Sequence, residues 1–193
     1  MNKVLVCTPV LSGVGAQPYF HHAMMWQHIG VQKEYLAGLL VVGPRRTPRE
    51  IRNEAGRKLK AGKGTHLFSL DDDIWCPPNI IDLLLAVDKP IVGALVHNSE
   101  GVPLVWEGNA QEGEWTKAER PGSGAFPCWA VAMGAMLIKR EVFEALPEPW
   151  FYYDKTGRTM DVHFCRDAQA AGFAVWCSVD AAAKQTIHDE RGI

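Results

Sequence analysis

The chain has 193 residues, 47% of them hydrophobic and 22% charged, with a formal net charge of −2. That length suits one domain with a full core, and the composition is ordinary for a globular chain. The charge balance gives no basic surplus to suggest a nucleic-acid partner, and no apolar run approaches the roughly 20 residues that cross a bilayer.

The start, MNKVLVCTPVL, has one lysine and then a strand-like run, without the long apolar stretch or small-residue cleavage site of a signal peptide. Cys7, Cys76, Cys128, Cys165 and Cys177 are odd in number, widely spaced and form no C-x-x-C pair, which argues against a disulfide framework and a zinc knuckle. Reduced thiols in a cytoplasmic protein are the expectation.

In chain order, KVLVC (Lys3 to Cys7) is short, apolar and β-branched, and predicts a buried strand ending at Thr8-Pro9. Tyr19 to Ile29 predicts a helix, and LLVV (Leu39 to Val42) a strand stopped by Gly43-Pro44. The next helix carries its own start signal. Thr47 is the N-cap, Pro48 fills the first turn and Glu50 completes a capping box. Ile51, Ala55 and Leu59 then form one apolar stripe that ends near Gly62. Leu67 to Leu70 predicts a third strand, NIIDLLLAV a helix, and Pro90 to Val96 a further strand.

From His97 to Pro127 the pattern is irregular, an excursion with room for a hairpin, and long loops of that kind are usually functional or mobile. VAMGAMLIK returns to strand, REVFEAL is a short helix, MDVHFCRDAQAAG a helix ended by Gly172, and FAVWCSV a last strand. Strands alternating with helices predict an α/β fold with a mainly parallel central sheet flanked by helices, whose ligands sit at the carboxyl ends of the strands.

Asp71, Asp72 and Asp73 stand at such an end, in HLFSLDDDIWCPP. Adjacent carboxylates repel, and a buried unpaired charge is costly, so a cation or water must face them. Mg²⁺ or Mn²⁺ on a nucleotide phosphate uses one or two protein carboxylates, which a D-x-D spacing supplies. In extended chain, Asp71 and Asp73 would share a side and Asp72 face the other way. The bland alternative is a solvated acidic turn.

Arg49 and Arg52 share one face near a helix start and could neutralise a diphosphate or hold the aspartates. Most of the other basic residues between Arg45 and Lys63 read as a solvated helix face. SGVGAQP and GKGT lack the dinucleotide and Walker A frames. Asp161 at a helix start is either a dipole-favoured terminus or a catalytic carboxylate, and His188 alone reads as a surface histidine near the terminus. Trp129, Trp150, Phe151 and Tyr152 fit a core at least as well as a sugar-stacking surface.

Taken together, VLVCTPV, the block RNEAGRKLKAGKGTHLFSLDDDIWCPPNIIDLLL, MGAMLIKREVFEALPEPWF, MDVHFCRDAQAAGFAVWCSVD and the final IH resemble, in order, the family 2-like glycosyltransferases with the GT-A fold. The resemblance implies a single domain over 1–193, with a Rossmann-like nucleotide-binding half at about 1–96 and an acceptor-side half at about 97–193. It implies a metal-dependent transfer of a sugar from a nucleoside-diphosphate sugar to an acceptor hydroxyl on a glycan, lipid, protein or small molecule, with Mn²⁺ or Mg²⁺ as cofactor. Thr8 and Pro9 would line the base and ribose pocket, and Arg52-Asn53 matches the family's RN. Asp73 would hold the metal, Asp71 the nucleotide or a metal-bound water, and Asp72 the ribose. Gly134 and Ala135 would lie beside donor sugar and acceptor. Asp161 matches the base of inverting members, and His188 the histidine that completes the metal site. Met160 stands where many inverting relatives have Glu, which leaves retention open.

The chemistry coheres on its own terms: a departing diphosphate needs its charge neutralised, and an acceptor hydroxyl needs a base within reach. The rivals are another metal-dependent nucleotide or phosphate enzyme, a nucleotidyltransferase or phosphohydrolase, and a non-catalytic nucleotide- or carbohydrate-binding module.

Overall fold

The computed structural model describes residues 1–9, 16–31, 35–42, 46–109, 114–117, 122–155 and 159–186, with backbone alone for 16–20, 35–42, 108–109 and 114–117. In chain order the elements are β1 (Asn2–Pro9), α1 (Ala16–Val31), β2 (Tyr35–Val42), α2 (Pro48–Ala61), β3 (His66–Leu70), β4 (Ile74–Trp75), α3 (Ile80–Val87) and β5 (Ile91–His97). There follow β6 (Val105–Asn109), β7 (Glu114–Lys117), β8 (Ala125–Cys128), β9 (Ala130–Val131), β10 (Ala135–Lys139), α4 (Arg140–Ala145), α5 (Met160–Ala170) and β11 (Val175–Gln185).

The main sheet runs β2-β1-β3-β10-β5-β11-β4, with β8 added on β11. β1, β2, β3, β5 and β11 point one way; β10, inserted between β3 and β5, and the short β4 and β8 point the other. The sheet is thus mixed rather than mainly parallel in its pairing, with five strands running one way and three the other, and its second-half strand β10 sits at the centre. The excursion holds the expected hairpin: β6 and β7 pair antiparallel, and β9 joins them in a separate three-stranded sheet.

The strand periodicity of two divides the core into two layers. Leu67, Met136 and Ile138 face one cluster with Ile51, Ala55 and Leu59 of α2, Phe143 and Phe164. Phe68, Leu70 and Leu137 face the other, with Met25 and Ile29 of α1 and Ile80, Ile81 and Leu84 of α3. In β11 a register shift between Ser178 and Ala183 breaks the alternation. Val175 and Cys177 belong to the first layer, and Ala181 and Ala183 to the second. The five cysteines are buried and free, and burial pushes the thiols of Cys7, Cys76 and Cys165 up to about 12.

Helix α2 is built as its sequence dictates. Thr47 accepts from the Glu50 amide at 3.3 Å, and the Glu50 carboxylate accepts from the Thr47 amide at 2.8 Å, so the capping box is closed in both directions. The stripe Ile51, Ala55, Leu59 is fully buried. Each large apolar side chain there contributes roughly 1.5–3 kcal/mol. Gly56 lets the helix approach its neighbours closely, because a Cβ there would lie 2.8 Å from the Trp150 ring.

His66 on β3 is buried and donates to or accepts from Thr65 Oγ1 at 2.8 Å. Burial, with Lys139 nearby, lowers its pKa from 6.5 to about 4. The folded chain therefore keeps His66 neutral where the unfolded chain takes up a proton. Its contribution to stability is present above pH 6.5 and is lost as pH falls through about 4. Urea midpoints measured at pH 7.5 and pH 4.5 are expected to differ less in His66→Gln than in the unaltered chain; an identical difference would rule out this role.

Candidate active site

The buried strand β3 ends at Leu70, and the three aspartates follow on a turn rather than on extended chain. The Ile74 amide bonds back to the Asp71 carbonyl at 3.2 Å, closing that turn. The extended alternation of Asp71 and Asp73 is therefore replaced, and all three aspartates line one cavity of about 390 Å³. The turn is tied from several elements at once. The Asp71 amide donates to the Gly134 carbonyl at 2.9 Å, linking β3 to the start of β10. His22 Nε2 of α1 lies 3.1 Å from the Ile74 carbonyl. Thr186, after β11, donates through its amide (2.9 Å) and its hydroxyl (3.0 Å) to the Asp73 carbonyl.

The carboxylates have fixed partners too. Arg52, reaching up from α2, pairs through Nη2 with Asp71 Oδ1 and donates through Nε to Ser69 Oγ at 3.0 Å. Its side chain is 4% exposed and that of Asp71 31%. Gln185 Nε2 donates to Asp73 Oδ2 at 2.7 Å. Asp72 is buried.

Across the cavity stands Asp161, in the first turn of α5. Its carboxylate accepts from the Thr159 hydroxyl and, at 2.9 Å, from the Val162 amide. Burial pushes the Asp161 pKa up; the Thr159 hydroxyl, the Val162 amide and Arg52 oppose the shift, and Asp71 adds to it. Asn53, next to Arg52 on α2, bonds the backbone of Trp150 and Phe151. Its Oδ1 accepts from the Trp150 and Phe151 amides at 3.0 and 3.2 Å, and its Nδ2 donates to the Phe151 carbonyl at 2.8 Å. The RN pair thus splits its work, Arg52 facing the aspartates and Asn53 the Trp150–Phe151 backbone.

Of the residues singled out in the sequence, Pro9, Arg52, Asp71, Asp72, Asp73, Gly134 and Asp161 line this cavity together. Thr8 and Ala135 are buried beside it and do not line it. Gly134 sits close to the turn: a Cβ there would lie 3.0 Å from Ile74 Cδ1, which would have to shift slightly, and at an ordinary 3.5 Å from Asp71 Oδ2. His188 lies outside the described residues. Among the described residues no group of three or more His, Cys, Asp or Glu side chains forms a metal shell. Trp129, Trp150 and Phe151 are buried core, and Tyr152 bonds Asp167 at 2.7 Å. Sequence reasoning missed Tyr153, exposed on the cavity wall, Met133, and Gln185. Gln185 had one signal, its place three residues before His188.

The fold is shared with solved structures. GalNAc-T7, solved with UDP, GalNAc and Mn²⁺, superposes with a TM-score of 0.67 at 12% identity, over 98% of this chain and 44% of that one. This chain thus spans less than half of the GalNAc-T7 chain. The crystal structure of A197 from STIV superposes with the same TM-score at 16% identity, over 97% of this chain and 86% of that one. At these identities the likeness is one of fold. No protein-family model matches the chain, and no curated protein matches it. Among the described residues no helix is long and apolar enough to cross a membrane.

The Arg52–Asp71 pair predicts a stability effect. Asp71→Ala leaves a buried guanidinium without its carboxylate. The expected loss is about 2 kcal/mol, less than the ~3–5 of a fully buried pair because Asp71 is partly exposed. Adding Arg52→Met should recover part of that loss in urea denaturation; an additive double variant would show the pair to be uncoupled.

Proposed function

We propose that this chain is a metal-dependent glycosyltransferase that moves a sugar from a nucleoside-diphosphate donor to an acceptor hydroxyl. The observation that carries the reading is the cavity itself, where four carboxylates, Asp71, Asp72, Asp73 and Asp161, meet one arginine. Carboxylate oxygens grouped around one cavity are suited to a divalent cation bridging to a diphosphate. The fold shared with a structure holding UDP, GalNAc and Mn²⁺ supports the same substrate class.

The donor set fits a hard cation, since carboxylate oxygens are its preferred ligands. Asp73 is assigned as the direct ligand and Asp71 as the second, with His188, two residues beyond Thr186, completing the site. Gln185 holds Asp73 Oδ2 and so fixes the carboxylate's orientation. The bound cation would neutralise charge on the leaving diphosphate. Pro9, with Thr8 behind it, takes the nucleoside side, and Asp72 the ribose. Gly134, followed by Ala135, leaves room for the sugar. In this division about 1–96 serves the nucleotide and about 97–193 the acceptor.

Asp161 is assigned as the general base. It takes the acceptor hydroxyl proton as that oxygen attacks the anomeric carbon. The bond from the anomeric carbon to phosphate breaks, and its electron pair leaves with the diphosphate. Direct displacement with a single base gives inversion. The raised pKa of Asp161 suits the role, because a stronger base accepts the proton more readily.

Release of nucleoside diphosphate from a panel of UDP-, GDP- and TDP-sugars with Mn²⁺ tests the reading. Turnover is expected for one base, and Asp161→Asn should lower it by about 10²–10⁴. The Asp161 carboxylate must be ionised, so activity should rise with pH along a limb that lies above the ordinary aspartate value of 3.8. Near-normal turnover in Asp161→Asn would remove the base assignment. Nucleotide transfer or phosphate release, with no sugar transfer, would favour the nucleotidyltransferase or phosphohydrolase alternative.

A further inference from the structure

A second cavity, of about 440 Å³, lies on the other side of the same sheet edge. Its wall is set by register. Trp75 on β4 pairs with Lys184 on β11, and Lys184 pairs with His97 on β5. Directly paired residues project from the same face, so the three form one row across three strands. Ile74 and Gln185, their chain neighbours and themselves paired, project to the opposite face and line the aspartate cavity.

Trp75 is 43% exposed, whereas Trp129 and Trp150 are 7% and 2% exposed. Among the tryptophans whose side chains are described, it is the only exposed one. The ring is not loose. His21 of α1 packs against it with centroids 4.7 Å apart and planes at 47°. His21 is in turn hydrogen-bonded to the Cys76 backbone, and burial lowers its pKa. Pro77 and Pro78 close one side of the depression without adding flexible side chains. A large indole is thus packed by His21 and left open, in a depression that Lys184 and His97 also line.

We infer that this depression is a saccharide-binding site, distinct from the donor cavity, in which a pyranose ring lies on the Trp75 indole. The apolar C–H face of a pyranose matches the flat indole, and its hydroxyls match donors at the rim. Lys184 supplies three N–H donors beside Trp75 in that row. The same donors accommodate either neutral hydroxyls or the carboxylate of a uronic acid. The site needs neither the aspartates nor a metal, so it stands apart from the transfer reading. If both hold, it keeps a saccharide on the enzyme beside the cavity that acts on it.

Saturation-transfer NMR on the full chain tests the inference, with EDTA present and no nucleotide. The probes are the methyl glycosides of glucose, galactose, mannose, N-acetylglucosamine and glucuronic acid. At least one should show transfer to its ring protons. Trp75→Ala should weaken that binding by about fivefold or more, Trp75→Phe should retain most of it, and Lys184→Met should weaken it. A glucuronide binding alone would assign the acidic ligand, and a neutral glycoside the hydroxyl-based one. No transfer from any glycoside, or equal transfer from the unaltered chain, Trp75→Ala and Lys184→Met, would overturn the site. So would displacement of the glycoside by UMP, which would make the occupant a nucleotide. The Asp73→Ala chain should bind the glycoside unchanged, so loss of donor turnover with this binding intact counts only against the transferase reading.

Discussion

Three consecutive carboxylates at the end of a buried strand repel one another, and the structure depends on the ties that hold them in one place. The Asp71–Ile74 turn is fastened to Gly134 at the start of β10, to His22 on α1, to Thr186 and Gln185 beyond and at the end of β11, and to Arg52 on α2. Each tie comes from a different part of the chain. The turn therefore exists only once the sheet and the helices on both faces are assembled. Arg52 is central to this. It is buried, it has a second bond to Ser69, and it offsets one of the three charges while leaving the others facing the cavity.

The sheet order explains why these ligands can meet. β1 and β3 are parallel neighbours and end together, which brings Pro9 near Asp71. β10 enters between β3 and β5 in the opposite direction, so its start, not its end, lies beside the aspartates. That reversal delivers Gly134 to the cavity. β11 crosses the register shift after Ser178, changes the layer its side chains serve, and arrives with Gln185 beside Asp73 on one face and Lys184 beside Trp75 on the other. A single irregular strand thus supplies a wall residue to each of two cavities.

Much of this was legible in the residues. The capping box at Thr47 and Glu50, the Ile51-Ala55-Leu59 stripe and the Gly172 stop are local signals, and local hydrogen bonding and packing decide them. The cavity residues Arg52, Asp71, Asp73 and Asp161 were legible because charge at strand and helix ends needs a reason. The turn at the aspartates was not, because its ties come from residues 19 to 113 positions away in sequence. The role of Asn53 depends on a contact with Trp150 and Phe151 that no local pattern announces. Tyr153 and Gln185 enter the cavity through tertiary placement, and Trp75 reads in sequence as one more hydrophobic residue after a strand.

The central claim is that the aspartate turn binds a diphosphate through a divalent cation. Isothermal calorimetry of UDP, GDP, TDP and ADP against the full chain, with Mn²⁺ and again with EDTA, measures it most directly. One nucleotide should bind with Mn²⁺ and lose at least about tenfold in affinity with EDTA, a difference of ~1.4 kcal/mol. Asp73→Ala should bind as weakly with Mn²⁺ as the unaltered chain does without it. Nucleotide binding that ignores both the metal and Asp73, or no binding by any of the four, would contradict the account.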